Sequence, residues 1–445
     1  MVLGRDEYMS RREPAVPRGF RDFEPQEMIL RKEVIAKIES VFRRYGFDPI
    51  DTPAIELFEV LAGKYGEEAE SKLMWRFRDP WGDREYALRY DLTVPLARFF
   101  AMHRNVPLPF KRYHIAPVWR HEEPQRGRYR EFYQCDADIV GSPYPEADAE
   151  ILMLAKDIYR ELGMEGVKIL INDRRILRGV FEKELGISDP VKVYRAIDKL
   201  DKIGVEGVKK ELRSLGISED IIGKIESIIS LRAPLEEAVR DLQIRYSSNQ
   251  HIIEGTKHLE EISTIVRSRD IVFDMSLVRG LDYYTGPIFE AVVEGIKIGS
   301  IGGGGRYDNL IEMFTGDRVP ATGFSIGLDR VIEAGIELGI FNISRKTYTD
   351  VYVVIMEREK EIFGYALNIV RELRSNGINT SWDLMRRSHQ KQREYGRKLS
   401  VPIILYIGKA EVESESITAY LVTRGERLEV KKETLVKTIK EMLRA

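Results

Sequence analysis

Residues 279 to 290 read Arg-Gly-Leu-Asp-Tyr-Tyr-Thr-Gly-Pro-Ile-Phe-Glu. Arg279 supplies a permanently charged fork suited to carboxylates and phosphates, while Tyr283 and Tyr284 supply flat apolar walls that carry hydroxyls. Together they suit a small planar polar ligand beside an anion. The same residues also suit a plain strand, since tyrosine has high β propensity and Gly280 and Gly286 can mark a bulge and a turn.

A second cluster runs from Trp119 to Phe132, with Arg120, Arg126, Arg128 and Arg130 around Gly127. So many guanidiniums repel one another unless they share an anion, and a triphosphate oriented for in-line attack at its α-phosphorus is such an anion. The alternative is an exposed hairpin paired through Glu122, Glu123 and Glu131. On the strand that follows, Gln134 and Asp138 are four apart and share a face. An acid on a buried strand face is costly, so Asp138 needs solvent or a proton donor from a ligand. Asp91 and Thr93, two apart after Leu88-Arg-Tyr and so on one face of a strand, offer a carboxylate and a hydroxyl for an ammonium group. Four consecutive glycines, 302 to 305, lack the Gly-Lys-Ser/Thr ending of a P-loop. They fit either a flexible turn or a close approach of backbone to ligand. The six histidines are scattered, and nothing in the sequence groups them with cysteine or aspartate as metal ligands or as a nucleophilic triad.

These residues must be positioned by a chain of 445 residues, enough for two or three domains. With 43% hydrophobic and 32% charged residues it reads as globular, and no apolar run is long enough to span a bilayer. The first residues are charged and show no apolar signal region, and the single cysteine, Cys135, excludes an internal disulfide; both point to a cytoplasmic location. Residues 346 to 445 hold 19 Lys and Arg against 14 Asp and Glu, hence +5, which leaves −7 for the rest of a chain of net charge −2. Within them Arg386, Arg387, Lys391, Arg393, Arg397 and Lys398 face one acid, Glu394. Such a run is a solvated helix face or a surface that reads a nucleic-acid backbone.

The spacing predicts a helix over Glu24 to Tyr45, an extended edge segment over Phe47 to Ile55 carrying Pro49 and Pro53, and strands at Leu73 to Arg78 and Glu85 to Arg89. Strands over Arg112 to Arg120 and Tyr129 to Val140 flank the arginine loop. A helix over Glu146 to Leu162 and a strand over Val167 to Asn172 follow. Residues 173–265 read as a helical insertion. β character returns at Ile271 to Met275, through the opening motif, and at Ile288 to Glu294, Ile298 to Ile301 and Ala321 to Ser325, with a helix from about Leu328. The strands before 172 and after 266 form one antiparallel sheet flanked by helices, an α+β arrangement split into residues 1–172 and 266–341. A linker over Asn342 to Thr349 leads to residues 346–445, a small α/β domain reading strand, helix, strand, helix, strand between Val351 and Ile407.

Taken in order, these motifs resemble the histidyl-tRNA synthetase family of class II aminoacyl-tRNA synthetases. The segment from Arg279 resembles its histidine-binding signature, Gly299 to Asp308 its glycine-rich strand, Trp119 to Phe132 the second class II motif, and Gly323-Phe-Ser-Ile-Gly-Leu-Asp-Arg the third. Pro53 matches the proline of the first, which implies a homodimer. The resemblance implies that ATP is held by Arg120 at the α-phosphate, Glu122 at the adenine amino group, Phe132 beneath adenine, Arg128 at the terminal phosphates and Arg330 at the γ-phosphate. It implies that histidine is held by Asp91, Thr93, Gln134, Asp138, Arg279, Tyr283 and Tyr284, with Arg279 and Arg120 catalytic. Mg²⁺ is carried by ATP, and residues 346–445 resemble an anticodon-binding domain. The expected activity is ligation of L-histidine to tRNA(His). Two rivals are a synthetase-like regulatory subunit of histidine biosynthesis and a class II enzyme for threonine or proline.

Overall fold

The computed structural model describes residues 14–65, 69–278 and 283–444. Arg279, with Gly280, Leu281 and Asp282, lies outside the described residues. Two compact units divide the chain, one of Met1–Asp22 and Val34–Phe341, the other of Phe23–Glu33 and Asn342–Ala445.

In the larger unit the strands run, in chain order, β1 (Asp48–Pro49), β2 (Ile55–Leu57), β3 (Arg76–Arg78), β4 (Glu85–Leu88), β5 (Phe110–Trp119), β6 (Glu131–Val140) and β7 (Val167–Asp173). They continue with β8 (Arg232–Pro234), β9 (Ile271–Asp274), β10 (Pro287–Val293), β11 (Gly302–Arg306) and β12 (Ala321–Gly327). Nine of them form one sheet in the order β1-β5-β6-β12-β11-β10-β7-β9-β8, and β2-β4-β3 make a small separate sheet. The large sheet is antiparallel except at β1 with β5 and β7 with β9. β1 is an edge of only two residues, as expected where Pro49 cannot donate to a ladder. Leu73 ends a short π-helical turn, Ala69–Leu73, so the strand expected from Leu73 starts three residues later.

The glycine run is a strand in the middle of the sheet, as the resemblance implies, rather than a flexible turn. A Cβ on Gly304 would stand 2.0 Å from the Gly323 carbonyl oxygen, and one on Gly302 2.4 Å from the Tyr159 hydroxyl. Tyr159 lies on the helix Pro145–Glu161, whose buried Ile151, Leu152, Ala155 and Ile158 cover one face of the sheet. Only a strand without side chains lets β12 and this helix come so close. The β segment expected at Ile298 to Ile301 falls just before this strand, outside it.

Between β7 and β9 the chain is mostly helical, closing with the helix Gln250–Val266. It also contributes β8, which pairs with β9 and was not foreseen.

In the smaller unit the strands are β13 (Val351–Ile355), β14 (Thr380–Trp382), β15 (Ile403–Ile407), β16 (Ser416–Leu421) and β17 (Glu426–Lys431), ordered β14-β13-β15-β16-β17. The first three are parallel, with helices Lys360–Ser375 and His389–Lys398 between them in sequence. An antiparallel pair and a final helix, Leu435–Arg444, complete the unit beyond the α/β pattern read from sequence. Charged, mostly exposed β17 lacks a strong apolar alternation. Its Val430 nonetheless joins the core of Val353, Ile355, Ile369, Leu405 and Ile439. Among the described residues no helix is long and apolar enough to cross a membrane.

Candidate active site

Directly opposed residues on neighbouring strands point to the same face. Across the large sheet one such row is Arg112, Asp138, Gly323, Gly305 and Ile288, and the next is His114, Asp136, Ser325, Gly303 and Glu290. Gln134 lies one further pair along, opposite Gly327. Gln134, Asp136 and Asp138 therefore share a face of β6, as their even spacing requires. They are 8%, 1% and 3% exposed.

Asp138 is held from three sides. A Cβ on Gly323 would stand 1.9 Å from its Oδ1, so the carboxylate lies across the glycine. The Tyr307 hydroxyl donates to Oδ1 at 2.5 Å, and the fully buried Arg112 approaches Oδ2 at 2.7 Å. Burial raises the Asp138 carboxyl above its ordinary range, against the lowering effect of Arg112. Asp136 is pushed up to about 7, by burial first, with Arg112 opposing and Asp138 adding to the rise. Gln134 donates to Ser325 Oγ at 2.5 Å. Gln134 Oε1 and Asp136 Oδ1 are buried acceptors without a hydrogen-bond donor among the described residues, and Asp138 Oδ2 meets only the Arg112 guanidinium. Two such acceptors on one face are costly unless a ligand donates to them.

Asp91 and Thr93 do not lie on a strand. β4 ends at Leu88, and Thr93 opens the helix Thr93–Met102. Asp91 Oδ1 accepts from the backbone N–H of Thr93 at 3.1 Å and of Val94 at 3.0 Å, capping that helix, and from the Tyr65 hydroxyl at 2.8 Å. Its other oxygen faces the Tyr283 hydroxyl at 3.4 Å. A strand face was the wrong frame for this pair, because an aspartate beside free helix N–H groups favours a cap.

Tyr283 and Tyr284 also stand outside a strand, in the turn before β10. Strand alternation, which puts them on opposite faces, does not apply. Their rings meet edge-on with centroids 4.9 Å apart, and Tyr283 lies 5.8 Å from the Tyr307 ring. A Cβ on Gly305 would stand 3.0 Å from the Tyr284 ring, so that glycine makes room for it. Burial drives both phenols well above their ordinary pKa, which keeps them as neutral donors.

The arginine loop is partly self-paired. Arg120 follows β5 and donates to the Tyr90 carbonyl at 3.1 Å, with its guanidinium carbon 4.4 Å from the Tyr90 ring and 5.2 Å from the Phe132 ring. Phe132 itself packs on Leu92, Ala116 and Val118. Arg128 pairs with Glu122, and Arg126 pairs with Glu337 at 2.7 Å. Glu131 accepts from the Trp119 indole at 2.7 Å. Arg330, on the first turn of the helix Leu328–Glu337, donates to the carbonyls of Gly127 and Ser300, each at 2.7 Å. The loop thus meets the opening of this helix, a place suited to anions.

Of the residues singled out by sequence, Asp91, Gln134, Asp138, Tyr283 and Tyr284 converge, and Arg120, Glu122, Arg128, Phe132 and Arg330 gather around the loop. Asp136, Tyr307 and Arg112 were missed. Asp136 was within reach of the period-two argument applied to its neighbours. Arg112 needed the register of β5 on β6, which local pattern does not contain.

The large, mostly antiparallel sheet with Asp138, Gly323 and Ser325 on one face and the arginine loop between β5 and β6 has the fold of a class II aminoacyl-tRNA synthetase. The family described as histidyl-tRNA synthetase matches residues 19–331, and that described as anticodon binding domain matches 350–442. The histidine–tRNA ligase of Aeropyrum pernix is 54% identical over 97% of this chain and 98% of its own length. That of Korarchaeum cryptofilum is 55% identical over 96% and 99%. The crystal structure of a histidyl-tRNA synthetase from Nostoc sp. superposes with a TM-score of 0.83 at 31% identity, covering 96% of this chain and 99% of that one. The chain belongs to the histidyl-tRNA synthetase family.

Proposed function

We propose that the chain is a histidine–tRNA ligase, which activates L-histidine with ATP and transfers it to the 3′ end of tRNA(His). The observation that carries this reading is the row of buried acceptors on β6 beside Tyr283, Tyr284 and Tyr307. An imidazole presents one N–H and one bare nitrogen, and an α-ammonium presents three N–H groups. Asp138 accepts from one ring nitrogen while a tyrosine hydroxyl donates to the other. Asp91, Thr93 and Gln134 take the ammonium group.

The histidine carboxylate oxygen attacks the α-phosphorus of ATP, and pyrophosphate leaves. The terminal ribose hydroxyl of tRNA then attacks the acyl carbon, and AMP leaves. Arg120 takes the α-phosphate, with Phe132 beneath adenine and Glu122 at its amino group. Binding ATP exchanges part of the Glu122 to Arg128 pairing for contacts to base and outer phosphates, and Arg330 meets the γ-phosphate. Mg²⁺ arrives with ATP as part of that substrate. Arg279 supplies the further cation at the α-phosphate. The chemistry is positioning plus charge stabilisation, with no covalent enzyme intermediate.

In this reading residues 1–172 and 266–341 are catalytic, 173–265 are an insertion, and 346–445 read the anticodon. The edge strand β1, beside Pro53, fits a homodimer contact, and the protein works in the cytoplasm. A regulatory paralogue is the weaker reading, because Arg120, Arg128, Arg330 and a C-terminal unit matching an anticodon-binding family are all present. Charging of total tRNA with labelled histidine tests the proposal: acid-precipitable histidine supports it, and none overturns it.

A further inference from the structure

Arg306 closes the glycine strand β11 and is 3% exposed. Its Nε and Nη2 donate to Asp148 Oδ2 at 2.9 and 2.6 Å, and His258 Nε2 lies 2.7 Å from the same oxygen. Nη1 donates to the Ser142 carbonyl at 2.9 Å and to Asp308 at 3.3 Å, and Nη2 also reaches the Tyr144 carbonyl at 3.0 Å. Asp148 sits on the helix Pro145–Glu161 and His258 on the helix Gln250–Val266, so one carboxylate oxygen joins the sheet to the last helix of the helical segment. Burial favours the neutral Asp148 acid, but His258 and Arg306 outweigh it and hold the carboxyl below its ordinary range.

The backbone of Arg306 holds the turn that carries the two site tyrosines. Its carbonyl accepts from the Thr285 N–H at 2.8 Å, and the Thr285 hydroxyl accepts from the Asp308 N–H at 3.0 Å. A Cβ on Gly286 would stand 3.1 Å from Arg306 Cδ, so the turn rests on the arginine stem itself. Arg174, at the start of the helical segment, donates its backbone N–H to the Gly286 carbonyl at 3.0 Å.

We propose that Asp148 and His258 are positioning residues for the amino acid: they clamp Arg306, and Arg306 fixes the turn 283–286 and with it Tyr283 and Tyr284. The inference rests on the ligase reading above. Neither residue belongs to the set assigned to histidine or ATP, and a small displacement of a substrate-holding group is enough to cost a large factor in rate. The clamp therefore acts on histidine and leaves ATP alone, whereas a purely structural role lowers the amount of active enzyme without separating the two substrates.

The test is ATP–pyrophosphate exchange with the full-length chain and its His258→Ala, His258→Gln and Asp148→Asn variants, with KM measured separately for histidine and ATP. The histidine KM rises several-fold in His258→Ala and about tenfold or more in Asp148→Asn, while the ATP KM stays within about twofold. His258→Gln, which keeps a donor toward Asp148, recovers most of the loss. Should Asp148→Asn not fold, the two His258 variants decide. Exchange in the wild-type chain with equal histidine KM in folded variants overturns the clamp alone. No histidine-dependent exchange in the wild-type chain overturns the ligase reading and the clamp together.

Discussion

The Asp138 carboxylate lies where the side chain of Gly323 would be, since a Cβ there would stand 1.9 Å from Oδ1. One residue of the third class II motif thus sets the position of an acid on the strand of the second. Gly323→Ala forces Asp138 off Gly323 and away from Tyr307 and Arg112. Histidine-dependent pyrophosphate exchange should fall by about tenfold or more, the cost of misplacing a substrate-holding group. Steady-state kinetics with circular dichroism of the variant checks it, and near-normal kinetics in a folded variant would remove Asp138 from the site.

Asp136 links the site to stability. Its folded pKa, about 7, lies above the ordinary 3.8, so the folded state binds more protons than the unfolded state between those values. Stability contributed by this group is therefore present at low pH and is lost as pH rises through that window. Asp136→Asn removes this loss, so the variant should melt higher than the wild-type chain at pH 8, with the gap narrowing toward pH 5. Thermal melts without substrates at both pH values measure it; a gap that widens toward pH 5 would contradict the assignment.

Arg120 and Arg279 are assigned to charge at the α-phosphate. Arg120→Ala and Arg279→Ala should each lower pyrophosphate exchange by about a hundred- to a thousandfold, the usual cost of one such donor, and leave the chain folded. The two need not be equal in stability, because Arg120 also holds the Tyr90 carbonyl. Exchange within a few-fold of wild type in either variant would strip that arginine of its role.

The smaller unit has its own core, with Val351, Val353, Ile369 and Leu405 buried. Removing residues 346–445 should spare histidine activation and severely weaken tRNA charging. Comparing exchange with charging in the truncated chain separates the two steps, and unchanged charging would refute anticodon reading by this unit.

Much of this was legible in sequence wherever chemistry was carried by local spacing. Period-two spacing placed Gln134 and Asp138 together, and the strand-to-helix passage ending on Arg330 appeared as expected. Failures arose where contacts distant in sequence decided the outcome. The glycine run, a strand by resemblance, by its residues alone fitted a turn equally well, because Gly323 and Tyr159, which crowd it, are not its neighbours in sequence. Asp91 caps a helix whose start the Leu-Arg-Tyr-Asp pattern conceals. Tyr283 and Tyr284 meet because they lie in a turn pinned by Arg306, whereas in a plain strand they would face opposite sides. Arg112, opposite Asp138, is visible only once β5 and β6 are in register.

The most direct test of the central claim is ATP–pyrophosphate exchange with the wild-type chain and each of the twenty amino acids in turn. The account predicts exchange with L-histidine alone, because buried acceptors left unpaired reject other side chains by about 10⁴ or more. Exchange driven by threonine, proline or any other amino acid, or by none, would contradict it.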